Sequence, residues 1–123
     1  MTQRFTIPGR LSGLNEYTLA NRRNRYAGSK LKCLDQATVT GAIYAAGLCP
    51  VARPVRLKYL WIEPNAKRDK DNIAAAQKVV QDALVEVGIL PGDGWRHVIG
   101  FDHDFAVDKQ NPRIEIQIVE VET

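Results

Sequence analysis

Two acids with the spacing of a metal site lie at Asp69 and Asp71, and Asn72 follows them. In an extended or turn segment, side chains two residues apart can direct both carboxylates toward one point, where they repel each other unless a cation lies between them. Hard oxygen ligands that leave room for water suit Mg²⁺, and Mn²⁺ can substitute. A third acid, Asp93, lies in the turn at residues 90–95, after one intervening helix. Three carboxylates around a divalent metal, on a basic chain, indicate phosphodiester hydrolysis.

The acid pair also has a structural interpretation, in which the carboxylates cap the following helix and remain solvated. An EF-hand is excluded, because Ala74 occupies the position where that loop needs glycine and no glutamate falls at its twelfth position. Asp102-His103-Asp104 is a second acidic run, but on a strand its acids face one way and its histidine the other. Its members could share a metal only across a bulge, so the first pair remains the leading metal candidate.

Positive charge is concentrated in the first half of the chain. Residues 1–58 carry ten Lys/Arg against two acids, a charge of +8, and residues 59–123 carry seven against twelve, a charge of −5, which together give the net +3. A basic half attracts phosphates, and an acidic half can hold metal. Cations mixed with aromatic side chains are typical of nucleic-acid surfaces, although Trp95 is expected to pack against its turn rather than to offer a base-stacking platform. The predicted DNA-binding residues are Asn15, Tyr17, Arg22, Arg23, Arg25, Lys67, Arg68 and Lys70. For the last three, an alternative stays open, in which they only offset the charge of the neighbouring acids.

Length and composition are those of one folded domain. A chain of 123 residues has no room for a second core, and 45% hydrophobic residues argue against disorder. No segment approaches the ~18 apolar residues of a membrane span, and the first residues lack the apolar region of a signal peptide. Cys33 and Cys49 match no zinc spacing and predict reduced thiols. We therefore expect a cytoplasmic protein without a membrane partner.

Hydrophobic periodicity predicts the elements that position these residues. Strands are predicted at 4–8, Val55–Glu63, Val98–Val107 and 113–121, and helices at 29–47 and 72–87. Residues 9–28 read as a long loop, and residues 108–112 are long enough for a hairpin. The second strand is apolar on both faces, as a central strand is. Asp71 or Asn72 is expected to cap the second helix, and Gly88 to end it. The predicted fold is a single α+β domain over residues 1–123, with two helices packed on one face of a small mixed β-sheet.

The spacing after residue 68 resembles that of a known family. Asp69-x-Asp71-Asn72, a helix with Lys78 and Asp82-Ala83-Leu84, then Gly88 and Asp93, are similar to the RusA-type Holliday-junction resolvases, which are crossover-junction endodeoxyribonucleases common in phages and prophages. The match is specific over residues 68–98 and weaker at residues 12–17. The chain departs from the family in two ways: the helix is about one turn longer than in the family's shorter members, and Gly92 stands where the family often has a second acid.

The resemblance implies a RusA-like fold and a Mg²⁺-dependent nuclease of DNA recombination and repair. Asp69, Asp71 and Asp93 would be its metal-binding catalytic carboxylates. Lys78 would be a catalytic lysine that offsets charge in the transition state, and the alternative for Lys78 is a surface pair with Asp82. Two symmetric nicks in a four-way DNA junction imply a homodimer with C2 symmetry.

Three other interpretations stay open. The chain could be a nuclease of the same fold that acts on flaps, forks or RNA. It could be a DNA-binding module with a degraded metal site, since only one acid remains at residues 92–93. It could also be a small phage protein whose acids only cap a helix.

Overall fold

The sheet is built from the four segments in which apolar residues alternate. A computed structural model describes residues 1–122, in which the strands are β1 (Thr2–Pro8), β2 (Val55–Glu63), β3 (Val98–Val107) and β4 (Arg113–Glu120). Their order across the sheet is β1-β4-β2-β3. The β2 strand runs parallel to β3 and antiparallel to β4, which is antiparallel to β1. The mixed sheet and the central position of β2 are therefore confirmed.

The helices differ from the prediction in the N-terminal half. Within residues 1–122 the helices are α1 (Leu14–Arg23), α2 (Arg25–Ala46), α3 (Lys70–Ala74) and α4 (Gln77–Val87). The predicted loop at 9–28 is wrong over most of its length, because α1 and the start of α2 lie there. No residue of α1 is fully buried and polar residues dominate it, so few apolar positions mark it as a helix in the sequence. The side chain of Asn24 accepts a hydrogen bond from Ala27 N at 2.7 Å and caps α2 ahead of the predicted start at Ser29.

The predicted helix at 72–87 is divided into two helices. The first ends at Ala74, and a turn at residues 75–76 precedes α4. The N-cap of α3 is Asp69, whose side chain makes no capping hydrogen bond, so the predicted cap at Asp71 or Asn72 is wrong. Asp71 lies inside the first turn instead, and the Asn72 side chain is engaged with another segment. The left-handed residue Gly88 ends α4 at φ 93°, as predicted.

The connection from β3 to β4 is not a hairpin, although its length allows one. Residues 108–112 pass the end of β2, which lies between the two strands. Asp108 N donates a hydrogen bond to the carbonyl of Glu63, the last residue of β2, at 2.8 Å. Arg113 Nη1 donates to Asp108 Oδ2 at 3.1 Å. The connection is therefore held against the strand that separates its two ends.

The helices cover one face of the sheet. Its inward side chains form one cluster with α2 and α4, which includes Leu57, Trp61, Ile116, Val39, Ile43, Val80 and Leu84. The opposite face carries polar and charged side chains, among them Arg4, Lys58, Asp104 and Glu115. This arrangement confirms the predicted α+β architecture with helices on one face, although four helices are present in residues 1–122 instead of two. None of the helices in this part of the chain is both long enough and apolar enough to cross a membrane.

Candidate metal and nucleic-acid site

The acid pair lies in an open pocket at the carboxyl end of β2. Asp69 precedes α3, Asp71 lies in the first turn of α3, and both residues are exposed. The pocket has a volume of about 480 Å³, and Lys70 and Phe105 also line it. Lys70 Nζ lies 5.7 Å from the centroid of the Phe105 ring, within the range of a cation–π contact. Two carboxylates and an ammonium group thus share one pocket.

A buried ion pair holds the loop that carries these acids. Glu63, at the end of β2, is 5% exposed, and Arg68 donates to both of its carboxylate oxygens, from Nε at 2.9 Å and from Nη2 at 2.8 Å. Arg68 Nη1 also donates to the Leu11 carbonyl at 3.2 Å and to Glu16 Oε1 at 3.0 Å. The hydrogen bond to Glu63 is the main cause that raises the pKa of Arg68. Four of its five N–H groups are engaged, so Arg68 holds the loop and has little capacity left for DNA.

A second contact joins this loop to the start of α1. Asn72 is 8% exposed, and its Oδ1 accepts a hydrogen bond from Asn15 N at 2.8 Å. Gly13 makes room for this contact, since a Cβ atom there would lie 2.6 Å from Asn72 Oδ1. The backbone of Asn15, a predicted DNA-binding residue, therefore supports the acid loop.

Tyr17, also a predicted DNA-binding residue, has an internal partner. Its hydroxyl donates to Asp35 Oδ2 at 2.5 Å, and Ser12 N donates to the same oxygen at 3.1 Å. Burial, followed by the hydrogen bond to Asp35, raises the pKa of Tyr17. The pair of Tyr17 and Asp35 joins α1 to α2 and stabilises the segment before α1.

The third predicted acid lies beside the predicted catalytic lysine. Lys78 Nζ is 3.0 Å from Asp82 Oδ1 and 3.8 Å from Asp93 Oδ2. The hydrogen bond with Asp82 is the main cause that raises the pKa of Lys78, whose side chain is 67% exposed. Lys32 Nζ approaches Asp82 from α2 at 3.6 Å. The structure thus assembles Lys78 with Asp93, in a group on the surface of α4.

The two acidic turns are joined to opposite ends of a parallel strand pair. Val55 pairs with Val98 at one end of β2 and β3, and Glu63 pairs with Val107 at the other end. The loop with Asp69 leaves the carboxyl end of β2, whereas the turn with Asp93 enters the amino end of β3. The chain returns between them through α4, and the contact of Lys78 with Asp93 brings the second turn beside the first turn of α4.

The three predicted carboxylates are not assembled into one group in the structure. Within residues 1–122, no three His, Cys, Asp or Glu side chains form a group that could hold a metal ion. Mg²⁺ is commonly bound through one or two carboxylates, and water and substrate phosphates complete its shell. Asp69 and Asp71 both line one pocket, and their role as metal ligands stays a prediction. Asp93 does not join them.

The remaining predicted DNA-binding residues are open to solvent. Arg22 and Arg23 lie in the last turn of α1, Arg25 begins α2, and Lys67 lies in the acid loop; all four are exposed. No ion pair within residues 1–122 involves any of them. Their charges are therefore available to a polyanion.

The acidic run on β3 follows the alternation predicted for a strand. His103 faces the stack of Tyr59 and Trp61, and its Nδ1 accepts a hydrogen bond from Trp61 Nε1 at 2.9 Å. Burial lowers the pKa of His103. Asp102 and Asp104 face the open side of the sheet, where Arg56 pairs with Asp102 at 3.3 Å. The two acids therefore point away from His103, as the strand alternation predicted.

The acidic turn contains two features that sequence reasoning missed. A Cβ atom at Gly92 would lie 2.9 Å from His97 Cδ2, so any side chain at this position would require His97 to move. Trp95 is 97% exposed, so its predicted packing against the turn is wrong. The turn closes through backbone bonds instead, because His97 N and Val98 N both donate to the Gly94 carbonyl at 3.0 Å.

No family model matches this chain, and no curated protein matches it. The resemblance to the RusA-type resolvases therefore depends on the residues and spacing of this sequence, and it stays a prediction.

Proposed function

We propose that this protein is a Mg²⁺-dependent endodeoxyribonuclease that cleaves four-way DNA junctions, with Mn²⁺ able to substitute. One observation carries the proposal: Asp69 and Asp71 line one open pocket, on a loop that the buried Glu63–Arg68 pair holds. A role in capping explains the pair less well, because the Asp69 side chain makes no capping hydrogen bond. Exposed carboxylates on a well-held loop suit a metal that must also accept a phosphate from the substrate.

Each residue at this pocket has its own task in the proposal. Asp69 and Asp71 would hold the metal, which when bound supplies an activated water and shields the phosphate charge. Lys67 and Lys70 would contact neighbouring phosphates as compact point charges. Arg68 would hold the loop in position through its hydrogen bonds to Glu63. This support matters because a displacement of even 1 Å at a catalytic group slows the reaction.

Lys78 and Asp93 enter the proposal as a second group. The resemblance implies that Asp93 is a metal ligand and that Lys78 offsets charge on the phosphate. The distance of 3.8 Å between Lys78 Nζ and Asp93 Oδ2 supports a role for the lysine in holding that acid. The ligand role of Asp93 stays a prediction from the resemblance alone.

The distribution of charge supports DNA as the substrate. The exposed cations Arg22, Arg23 and Arg25 lie where α1 meets α2, in the half of the chain that carries +8. Arginines that make no internal ion pair are suited to phosphate contacts. A junction requires two symmetric nicks, and a C2 homodimer with one pocket in each subunit would supply them.

A second candidate function is a DNA-binding module that does not cleave. One observation favours it: the three acids of the resemblance do not form a metal-binding group within residues 1–122. Binding and cleavage must therefore be measured separately.

The experiment uses a fluorescein-labelled four-way junction and a linear duplex assembled from the same arm sequences. Binding is measured by fluorescence anisotropy in EDTA, and cleavage on denaturing gels after Mg²⁺ is added. We expect tighter binding to the junction than to the duplex, and paired nicks only in Mg²⁺ or Mn²⁺. Junction binding without cleavage in either metal would favour the binding module, and absence of junction binding would contradict both functions.

A further inference from the structure

Trp95 is a large apolar side chain that the fold leaves in water. It is 97% exposed, whereas the other tryptophan, Trp61, is 1% exposed in the core. An indole can remove a large apolar area from water, so a fully exposed one is unusual in a well-packed domain. The backbone bonds to the Gly94 carbonyl close the turn without help from the indole. Packing within the domain therefore does not account for a tryptophan at this position.

The surroundings of Trp95 indicate the kind of partner that would cover it. Its neighbours along the chain, Asp93, Gly94 and Arg96, are exposed and polar or lack a side chain. The core of a protein–protein interface is a wider apolar patch with few charges, and this turn does not supply one. In this turn an exposed aromatic face adjoins a cation in the sequence, which is the arrangement that binds a nucleobase and its phosphate.

We propose that Trp95 stacks on an unpaired nucleobase of the DNA substrate, with Arg96 beside it at the phosphate backbone. The inference rests on the proposed function, because it requires that the protein binds branched DNA. Trp95 lies two residues after Asp93, so the stacked base would belong to a strand that passes the group of Lys78 and Asp93. A base in continuous duplex offers no free face, so this contact selects DNA with unpaired bases, such as the centre of a junction or a single strand.

The two tryptophans differ in exposure, so fluorescence can measure the stacking of a base on Trp95. Trp61 is buried and bonded to His103, so a quencher or a base in solution reaches Trp95 alone. The probes are the four-way junction, a 20-nucleotide oligothymidylate and the linear duplex, all in EDTA. Anisotropy of labelled DNA measures binding, and intrinsic fluorescence at 295 nm excitation measures stacking. Trp95→Phe keeps an aromatic face and removes the signal, and Trp95→Ala removes both.

We expect the junction and the oligothymidylate to quench the wild-type fluorescence on binding, and to leave that of Trp95→Phe unchanged. Trp95→Ala should bind both of these probes roughly 5- to 150-fold more weakly, the range that loss of one stacked base corresponds to. Its binding to the linear duplex should change little. The slope of log K against log salt should stay unchanged, because an indole releases no counterions.

The results that overturn the inference differ from those that overturn the proposed function. Junction binding with neither quenching nor a loss in Trp95→Ala would refute stacking and leave the nuclease proposal intact. An equal loss of junction and duplex binding in Trp95→Ala would also refute it. A blue shift of wild-type emission that grows with protein concentration in the absence of DNA would show that a second copy covers Trp95. No binding to the junction by anisotropy would refute the proposed function, and the inference with it.

Discussion

Replacement of Arg68 with alanine tests whether a buried ion pair holds the acid loop. The variant leaves Glu63 without its bidentate partner, in a place where the side chains of Glu63 and Arg68 are 7% and 15% exposed. Removal of one partner from such a pair costs about 3–5 kcal/mol, because the remaining charge is buried without compensation. Arg10 Nη1 lies 3.5 Å from Glu63 Oε1 and offsets part of this charge. We therefore expect the lower end, about 3 kcal/mol, which corresponds to a decrease in Tm of about 12 °C for a chain of this length.

The assay is thermal and urea unfolding followed by circular dichroism. Arg113→Ala is the matched control, because Arg113 also bridges two acids, Asp108 and Glu115, but at more exposed positions. It should lower the Tm far less than Arg68→Ala does, since exposed pairs contribute little. Addition of Glu63→Gln to Arg68→Ala should recover part of the lost stability, because it removes the uncompensated charge. If Arg68→Ala and Arg113→Ala lowered the Tm equally, the Glu63–Arg68 pair would not be what holds the loop.

Three further predictions concern the supports of the site. Gly13→Ala should destabilise the fold by about 1–3 kcal/mol in urea unfolding, because its Cβ would lie 2.6 Å from Asn72 Oδ1. Above pH about 10, where tyrosine ionises in the unfolded chain, the wild type should lose stability because the pKa of Tyr17 is raised in the fold, and Tyr17→Phe should lose less over the same interval. Lys78→Ala should slow junction cleavage at least ~10-fold, since a cation near developing charge is lost, while its Tm barely changes.

Each of these predictions has a matched control. Gly41 has open space around its Cβ position on α2, so Gly41→Ala should stabilise the fold where Gly13→Ala does not. Tyr44 is 69% exposed, so Tyr44→Phe should leave the loss of stability at alkaline pH unchanged. Asp82→Ala breaks the pair with Lys78 but keeps the cation, and its cleavage rate should stay close to that of the wild type. If a variant of Gly13, Tyr17 or Lys78 behaved like its control, the role assigned to that residue would be contradicted.

The sequence predicts best the elements whose signal is local. The apolar alternation of β2 and the strand Val98–Val107 gave bounds that match the structure, and Gly88 ends α4 in the left-handed conformation that its position suggested. The strands depend on the burial of every second residue, and the helix end depends on the backbone freedom of glycine. Both properties can be recognised from a few residues. The prediction of a loop at 9–28 was wrong because α1 buries none of its residues fully. A mostly polar helix of 10 residues offers few apolar positions from which a helical period can be read.

The candidate site shows the same limit at the level of tertiary structure. The spacing identified Asp69 and Asp71 as neighbours, and the structure places both in one pocket. It also suggested that the turn with Asp93 could meet them; the structure brings this turn to Lys78 in the first turn of α4, but within residues 1–122 the three acids form no metal-binding group. The insertion of β2 between β3 and β4 likewise depends on strand order, which no local pattern encodes. The exposure of Trp95 and the partners of Arg68 also depend on tertiary structure, so the sequence did not predict them.

The central claim is that Asp69 and Asp71 form the metal-dependent centre of a DNA nuclease. Single-turnover cleavage of the four-way junction in Mg²⁺, by the wild type, Asp71→Asn and Asp104→Asn, tests it most directly. Asp104 is an exposed acid on the open face of the sheet, so its variant controls for the loss of one negative charge. We expect Asp71→Asn to bind the junction without cleaving it, and Asp104→Asn to cleave at the wild-type rate. Cleavage by Asp71→Asn at the wild-type rate would contradict the claim.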